Sequence, residues 1–496
     1  MTSQDWLYRI FVSRRRWLSA VATLILCSAL ALGVGYLLSE FGPLVAGAGM
    51  VAIFVGLWML RDIEVAYWAV IGIVCLLPFA SFPFDVGFTP TFLDAALGGL
   101  FLVWLLQIAG GAQTEFVATP LGGPIMVFIL LALGSFVFGL AHVPLALGFL
   151  QYYIRHFGEV MLSVALFFLV VNTVRDKERL RRIVRALILG AFGAAALGAV
   201  LYVIADQISA DFVIRVLSAL GRFGYPAGPG VLRYIRENPE LPMRATSTSV
   251  DPNVLGSLLN LTLAISVPQL FADRPIIRRR YLVPILGVMA LCLGLTMSRG
   301  SMVGLGAALV VLATLRYRKL WVILGGALAL MLLLPQTQAL VKHFLEGFRI
   351  QDLATQMRMG EYQDALILIG RHPLLGVGFA GSPDIDTYIG VANVYLLIAE
   401  EMGLIGLASF LVVMGVLLAR FWRTRSLAVG ADLEPLWWGL HAGIIGALVG
   451  GVFDHYFFNL DFHHSVTLFW LAVGLATAAT ELIRGCSAGR GETLPD

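Results

Sequence analysis

Charged side chains are scarce in this chain. They make up 13% of its 496 residues, whereas soluble domains carry about 25%. Hydrophobic residues make up 59%, and the mean hydropathy is +0.87. This composition excludes a soluble globular protein. The formal net charge of +3 gives no indication of nucleic-acid binding, and no nucleic-acid partner is predicted.

Cysteine is also rare. Cys27, Cys75 and Cys292 fall within apolar stretches, and Cys486 lies near the C-terminus. This pattern predicts neither a disulfide framework nor a thiolate metal cluster.

Internal repeats are not visible, and the two halves lack the paired Gly/Pro-broken helices that are typical of inverted-repeat transporters.

Long apolar stretches dominate the sequence instead. Many reach the roughly 20 residues that a helix needs to cross a bilayer, so we predict an all-α polytopic integral membrane protein with about 14 transmembrane helices. The first stretch continues to about Leu38, which favours a retained span over a cleaved signal peptide. The predicted spans are residues 17–38, 42–60, 63–82, 91–111, 122–141, 152–173, 184–206, 252–272, 281–297, 301–315, 320–335, 393–419, 435–453 and 464–484.

The basic residues predict the topology. If the N-terminus is cytoplasmic, the basic clusters face the cytoplasm, as the positive-inside rule requires, and the short opposite loops contain no Lys or Arg. Both termini are then cytoplasmic. The clusters are Arg14 to Arg16, Arg61, Arg175 to Arg185, Arg274 with Arg278 to Arg280, Arg316 to Lys319, Arg420 to Arg425, and Arg484.

Two outward loops are too long to be simple connectors, and long loops are usually functional or disordered. The second is predicted to contain an interfacial helix with Asp352 as its N-cap. The sequence therefore predicts five regions: N-terminal transmembrane helices (1–206), a first long periplasmic loop (207–251), further transmembrane helices (252–335), a second long periplasmic loop (336–392), and C-terminal transmembrane helices with a tail (393–496).

Outward arginines need an explanation, because the positive-inside rule disfavours them. Arg299 lies in a tight outward turn between Met297 and Gly300. A guanidinium group binds phosphate oxygens bidentately, so these residues suit a diphosphate at the outer surface. Contact with lipid headgroups or loop carboxylates is the alternative. The other outward basic residues are Arg215, Arg222, Arg233, Arg236, Arg244, Lys342, Arg349, Arg358 and Arg371.

Ionisable residues inside the predicted spans are costly and usually face a cavity or a partner. Arg155 and Glu159 are four residues apart and are predicted to pair on one helix face. Contact between Arg155 and a carrier phosphate is the alternative. Asp94 and Glu401 are the other candidates of this kind.

Several short motifs follow one another between Arg244 and Gly406. In this order they resemble the O-antigen ligase and O-antigen polymerase family over about 160 residues. The motifs are Arg244 to Asn253, which includes Asp251-Pro252; Ser298-Arg299-Gly300; Arg358 leading to His372-Pro373 and Gly376-Val377-Gly378; Asn393-Val394-Tyr395-Leu396; and Glu401-Met402-Gly403 followed by Gly406.

The resemblance implies an inverting, metal-independent glycosyl transfer from an undecaprenyl diphosphate carrier, without a cofactor, at the outer face of the bacterial inner membrane. Arg244 and Arg358 are expected to hold the diphosphate and to stabilise the charge that develops on it. The implied partners are the undecaprenyl-diphosphate-linked oligosaccharide, membrane lipids, and assembly proteins such as a flippase and a chain-length regulator.

The general base is not assigned by the resemblance. Ligases of the family carry His immediately before the Asn of the Asn-x-Tyr-Leu motif, but this chain has Ala392, which favours a polymerase. Asp384 and Asp386 are possible substitutes, with turn chemistry as the alternative. The loop from Asp454 to His464 is another possible source of the base. Its residues suit a proton acceptor or a metal site, with an interfacial aromatic belt as the alternative.

The sequence thus predicts a polymerase of lipid-linked repeat units of O-antigen, capsule or exopolysaccharide. The alternatives are a ligase that transfers the glycan to lipid A core or to protein, and a flippase of lipid-linked sugars. The predicted catalytic residues are Arg244, Arg358, Arg299, Asp386 and Glu401, and the predicted substrate-binding residues are Arg155, Asn253, Asn393, Tyr395 and His372.

Overall fold

The computed structural model describes residues 54–59 and 61–488, apart from 84–88, 112–114, 142–146, 236–237, 334–337, 339–340, 343–352 and 380–390, together with single positions before residue 54. The chain forms two compact units, Met1–Ala66 and Tyr67–Asp496. Asp384 and Asp386, the carboxylates proposed as substitute bases, lie outside the described residues.

Helices form most of the described chain. The first group is α1 (Ile63–Leu76), α2 (Phe92–Ala109), α3 (Gly122–Leu140), α4 (Leu147–Thr173), α5 (Lys177–Gln207) and α6 (Ala210–Ser218). A short antiparallel hairpin of β1 (Arg233–Tyr234) and β2 (Met243–Arg244) follows. The second group is α7 (Pro252–Ser266), α8 (Arg279–Thr296), α9 (Arg299–Leu315), α10 (Leu320–Leu333), α11 (Leu353–Arg371), α12 (Val394–Ala428), α13 (Glu434–Gly450) and α14 (His463–Ala488).

Eight of the described helices are long and apolar enough to cross a membrane. Each of the eight coincides with a predicted span, so the prediction of a polytopic helical membrane protein is confirmed. The total of fourteen spans stays a prediction, since α1, α9 and α10 are shorter. The candidate spans are Phe92–Ala109, Gly122–Leu140, Leu150–Thr173, Lys177–Gln207, Pro252–Leu270, Arg279–Thr296, Val394–Ala428 and Leu460–Cys486.

The centre of the second unit is formed by α7, α13 and α14, which are buried along most of their length. Small residues let α9 and α13 approach closely: a Cβ atom added at Gly304 would lie 2.5 Å from the carbonyl oxygen of Gly446. Asn260 of α7 donates a hydrogen bond from Nδ2 to the same carbonyl over 3.2 Å. Close backbone contact at glycine is a common way for helices to pack inside a membrane.

The segment between α5 and α7 folds back onto the bundle. Ser209 caps α6 by accepting a hydrogen bond from the N–H of Phe212. Val213 and Leu217 of α6 pack against Leu201 of α5. The hairpin that follows pairs Arg233 with Arg244. Arg244 therefore sits on a short paired strand.

Helix α12 is broken at Gly403, whose φ of 68° and ψ of −178° are essentially restricted to glycine. The break leaves backbone groups of α12 without helical partners. The N–H groups of Val377 and Gly378 donate to the carbonyls of Glu400 and Glu401 over 2.8 and 2.9 Å, and Leu404 N–H donates to Pro373 over 2.8 Å. The motif that contains His372 to Gly378 is thus hydrogen-bonded at this kink to the motif that begins at Glu401.

We expect Gly403→Ala to lower the stability of the folded protein by ~2–4 kcal/mol. A Cβ atom at this position would lie 2.0 Å from the carbonyl oxygen of Leu374, and the left-handed φ would strain any other residue. The measurement is the apparent Tm in detergent. Gly415→Ala, on the same helix with no atom within 4 Å of the added Cβ, is the control and should unfold at the wild-type temperature or above. Equal Tm values for the two variants would contradict the account of the kink.

Candidate active site

Arg244 is held at the end of the hairpin by two hydrogen bonds. Its Nε donates to the carbonyl of Thr296 over 2.8 Å, and its Nη2 donates to Asn253 Oδ1 over 2.6 Å. Burial lowers the pKa of the Arg244 guanidinium group, and the negative charge of nearby Asp251 counteracts this shift. An arginine stays protonated under such conditions, so the hairpin presents a fixed positive charge beside the start of α7.

The start of α7 is tied to the loop between α13 and α14. Asp251 is the N-cap of α7 and accepts hydrogen bonds from the backbone N–H groups of Asn253 and Val254 over 2.6 and 3.3 Å. The same carboxylate oxygen accepts a hydrogen bond from the Tyr456 hydroxyl over 3.2 Å. This contact brings the loop that contains Asp454 next to Arg244.

Asp454 lies in this loop and is partly buried. Burial raises the pKa of Asp454 from 3.8 to about 7, and the negative charge of Asp251 acts in the same direction. Arg358 and Arg244 partly offset the rise, because both positive charges act on this carboxyl group. Asp454 is therefore a carboxyl group on which the charges of two arginines act, and its raised pKa suits a general base.

Arg358 comes from α11, which lies over the segment before α12. Glu361 accepts a hydrogen bond through Oε2 from the N–H of Ala392 over 3.1 Å. Tyr362 donates from its hydroxyl to the carbonyls of Ala392 and Val452 over 3.3 and 3.2 Å. These bonds fix α11 against both the Asn393 motif and the Asp454 loop.

Asn393 is the N-cap of α12. Its Oδ1 accepts hydrogen bonds from the N–H groups of Tyr395 and Leu396 over 2.9 and 3.0 Å, and its Nδ2 donates to the carbonyl of Val452 over 2.9 Å. Val394 N–H also donates to the carbonyl of Gly451 over 2.8 Å. The role of Asn393 visible here is to hold the loop that carries Asp454.

Four of the residues predicted from the sequence therefore come together around Asp454. The charges of Arg244 and Arg358 act on the Asp454 carboxyl group, Asn253 accepts a hydrogen bond from Arg244, and Asn393 donates to the carbonyl of Val452 in the same loop region. Arg299 is the first residue of α9, next to Gly300, whose Cβ position lies 3.0 Å from the Phe453 side chain. The turn that carries Arg299 is thus adjacent to the same loop.

The other predicted residues lie elsewhere. Glu401 is at the α12 kink, where its carbonyl also accepts a hydrogen bond from Ser135 Oγ over 2.6 Å, and His372 is at the nearby end of α11. Tyr395 donates to the carbonyl of Leu448 over 2.8 Å. Arg155 forms the ion pair with Glu159 that its spacing predicted, at 2.6 Å, and a second one with Asp94 at 3.4 Å.

Asp454 is the residue that sequence reasoning did not single out. The loop from Asp454 to His464 drew attention through its histidines rather than through Asp454. His455 Nδ1 donates a hydrogen bond to the carbonyl of Val391 over 2.9 Å, and burial lowers the pKa of His455. The available signal was a carboxylate in a loop that lacks Lys and Arg and is predicted to face outward.

The long apolar helices, together with Arg244 and Arg358, define a class of protein. It is a multi-pass membrane protein with a cationic site in its loops. Residues 284–411 match the family model described as O-antigen ligase. The resemblance to the O-antigen ligase and polymerase family is thereby confirmed over the segment from α8 to α12, and it indicates a membrane enzyme of glycosyltransferase or ligase type. The matched family implies a lipid-linked glycan substrate. A comparison with curated proteins finds no match.

Proposed function

We propose that this protein is a polymerase that transfers a growing glycan from one undecaprenyl diphosphate carrier onto the next lipid-linked repeat unit. The observation that supports this proposal most directly is that the charges of Arg244 and Arg358 both act on the partly buried carboxyl group of Asp454. A carboxylate beside two guanidinium groups fits a reaction in which a hydroxyl loses a proton while a diphosphate departs.

In the proposed reaction, the acceptor hydroxyl oxygen attacks the anomeric carbon of the donor glycan. A new carbon–oxygen bond forms as the bond from the anomeric carbon to the diphosphate oxygen breaks, and the electron pair of that bond stays on the diphosphate. Asp454 accepts the hydroxyl proton. Arg244 and Arg358 stabilise the negative charge that accumulates on the leaving diphosphate. Attack opposite the leaving group inverts the configuration of the anomeric carbon.

The side of the membrane on which this occurs follows from the basic clusters. With both termini in the cytoplasm, the hairpin, α11 and the Asp454 loop face the periplasm of a bacterial inner membrane. The carrier lipid would then reach the site from the outer leaflet. Polysaccharide assembly proteins such as a flippase and a chain-length regulator are the expected partners.

A polymerase is favoured over a ligase by the position before Asn393. The ligase motif has His at this place, and Ala392 offers only its backbone, which hydrogen-bonds with Glu361 and Tyr362. Asp454 supplies a base from a different loop. A ligase that transfers the glycan to lipid A core or to protein is the second candidate, because the same site chemistry serves any acceptor hydroxyl.

Product analysis tests the proposal. The purified protein in nanodiscs is given undecaprenyl-diphosphate-linked oligosaccharide, and the lipid-linked products are separated by size. We expect a ladder of longer lipid-linked glycans. Transfer of a single glycan, only when lipid A core or protein is added, would instead identify a ligase. If the substrate stays unchanged but crosses the bilayer of sealed liposomes, the protein is a transporter and the proposal is wrong.

A further inference from the structure

A second group of ionisable side chains lies at the His463 end of the loop from Asp454 to His464, where three helices meet. Asp94 belongs to the first turn of α2, His156 and Glu159 belong to α4, and His463 is the first residue of α14. The side chains of Glu159 and His463 are each only 7% exposed. Ionisable groups buried this deeply inside a membrane protein need a partner that compensates for their lost hydration.

Arg155 pairs with one oxygen of each carboxylate. Its Nε lies 2.6 Å from Glu159 Oε1, and its Nη2 lies 3.4 Å from Asp94 Oδ2. Asp94 Oδ2 also accepts a hydrogen bond from the N–H of Thr91 over 2.7 Å. Both carboxylates are therefore held in fixed orientations through one oxygen each.

The second oxygen of each carboxylate is directed at an imidazole ring. Glu159 Oε2 lies 3.6 Å from His463 Nδ1 and 3.3 Å from His156 Nδ1, and Asp94 Oδ1 lies 3.9 Å from His463 Nε2. In the part of the chain that the structure describes, His463 Nε2 is buried without a hydrogen-bond partner, and Glu159 Oε2 faces two imidazole nitrogens without a well-aligned hydrogen bond to either. A buried polar atom without a partner costs about 1–3 kcal/mol.

The charge of this group is also unbalanced. Two ionised carboxylates carry two negative charges, and Arg155 supplies one positive charge. The group therefore attracts one further cation. The ligand atoms of Asp94, Glu159 and His463 all lie within 4.8 Å of one another.

We propose that Asp94, Glu159 and His463 bind a divalent transition-metal ion, with His156 as a further nitrogen ligand. Imidazole and carboxylate donors suit Zn²⁺ and related first-row ions, which prefer ligand distances of ~2.0–2.2 Å. The three ligand atoms need to move inward by less than about 1 Å to close around such an ion. Arg155 and Thr91 supply the outer hydrogen bonds that orient metal-binding carboxylates.

The role of this ion is to hold α14 against α2 and α4. His463 directly follows the 3₁₀ turn Leu460–Phe462, which ends the loop that contains Asp454. An ion at His463 would fix the end of this loop relative to two other helices. The metal is a structural element here, and the ligands are positioning residues. The inference stands without the proposed glycosyl transfer, because it depends on a separate set of contacts.

The test uses tag-free, full-length protein in detergent that is stripped with a chelator and dialysed against micromolar Zn²⁺. We expect about one tightly bound Zn²⁺ per chain by elemental analysis and a higher apparent Tm in the presence of the metal. His463→Ala and Glu159→Gln should each reduce bound Zn²⁺ at least tenfold and abolish the metal-dependent rise in Tm. Asp461→Asn, which changes an exposed carboxylate two residues from His463, should retain the metal.

Measurements on the wild-type protein alone can overturn the inference, so it does not depend on whether the variants fold. Co²⁺ in place of Zn²⁺ should give visible absorption bands typical of coordination by nitrogen and oxygen ligands. If the stripped wild-type protein retains no Zn²⁺ and gives no Co²⁺ bands, the proposal is wrong. Equal metal content in the wild type and His463→Ala would also overturn it.

Discussion

Replacement of Arg358 by alanine is expected to lower the rate of glycan transfer by about 10²–10³-fold. The guanidinium group is partly exposed on α11, and its positive charge acts on Asp454, so its removal takes away a charge that stabilises the departing diphosphate. Arg358→Lys should recover part of the rate, because lysine keeps the charge but lacks the planar pair of donors that binds phosphate oxygens. The measurement is the initial rate of product formation from lipid-linked oligosaccharide in nanodiscs.

The control for Arg358→Ala is Arg423→Ala, which removes an exposed arginine near the end of α12. This variant should retain the wild-type rate, and both variants should unfold at the wild-type temperature. A rate for Arg358→Ala within about threefold of the wild-type rate would show that Arg358 does not take part in the transition state.

Replacement of Asp454 by asparagine is expected to lower the rate of transfer at pH 8 by about 10²–10⁴-fold, which is the usual contribution of a general base. Asparagine keeps the size of the side chain but cannot accept the proton. In the wild type, kcat/KM should rise with pH and level off above an apparent pKa of about 7, because only the ionised form of Asp454 acts as a base. Asp454→Asn should lose this dependence.

The stability of Asp454→Asn should rise while its activity falls. This combination distinguishes the loss of a base from misfolding. Because the pKa of Asp454 is raised in the folded state, the folded protein binds a proton more tightly than the unfolded chain does. The wild type should therefore lose stability as the pH rises from about 4 through about 7. Asp454→Asn lacks this loss and should have a higher apparent Tm than the wild type at pH 8. A lower Tm together with lost activity would instead indicate a structural role.

The helical membrane fold could be predicted because it depends on properties that are local in the sequence. The span predicted at residues 122–141 is observed as Gly122–Leu140, and the span predicted at 252–272 is observed as Pro252–Leu270. Each follows from an apolar stretch long enough to cover the bilayer core. The kink at Gly403 could not be predicted in this way, since it forms only when the turn after His372 supplies hydrogen bonds to α12.

The candidate site was predicted less completely. Arg244 and Arg358 stood out because outward arginines are unusual, and the structure places both near one carboxyl group. Glu401 was selected for its motif, but the contacts of its backbone place it at the kink of α12. A shared motif therefore identified residues that serve packing as well as residues that suit chemistry.

The sequence by itself determined the class of the protein, the positions of its long apolar helices and the family that it resembles, because composition, run length and motif order do not depend on the folded structure. The tertiary structure alone decided that the charges of Arg244 and Arg358 act on the carboxyl group of Asp454, and that Arg155 pairs with Asp94 as well as Glu159. Both outcomes depend on loops and helices that are far apart in the chain. The basicity of Asp454 depends further on burial and on neighbouring charges, which exist only once those segments have packed together.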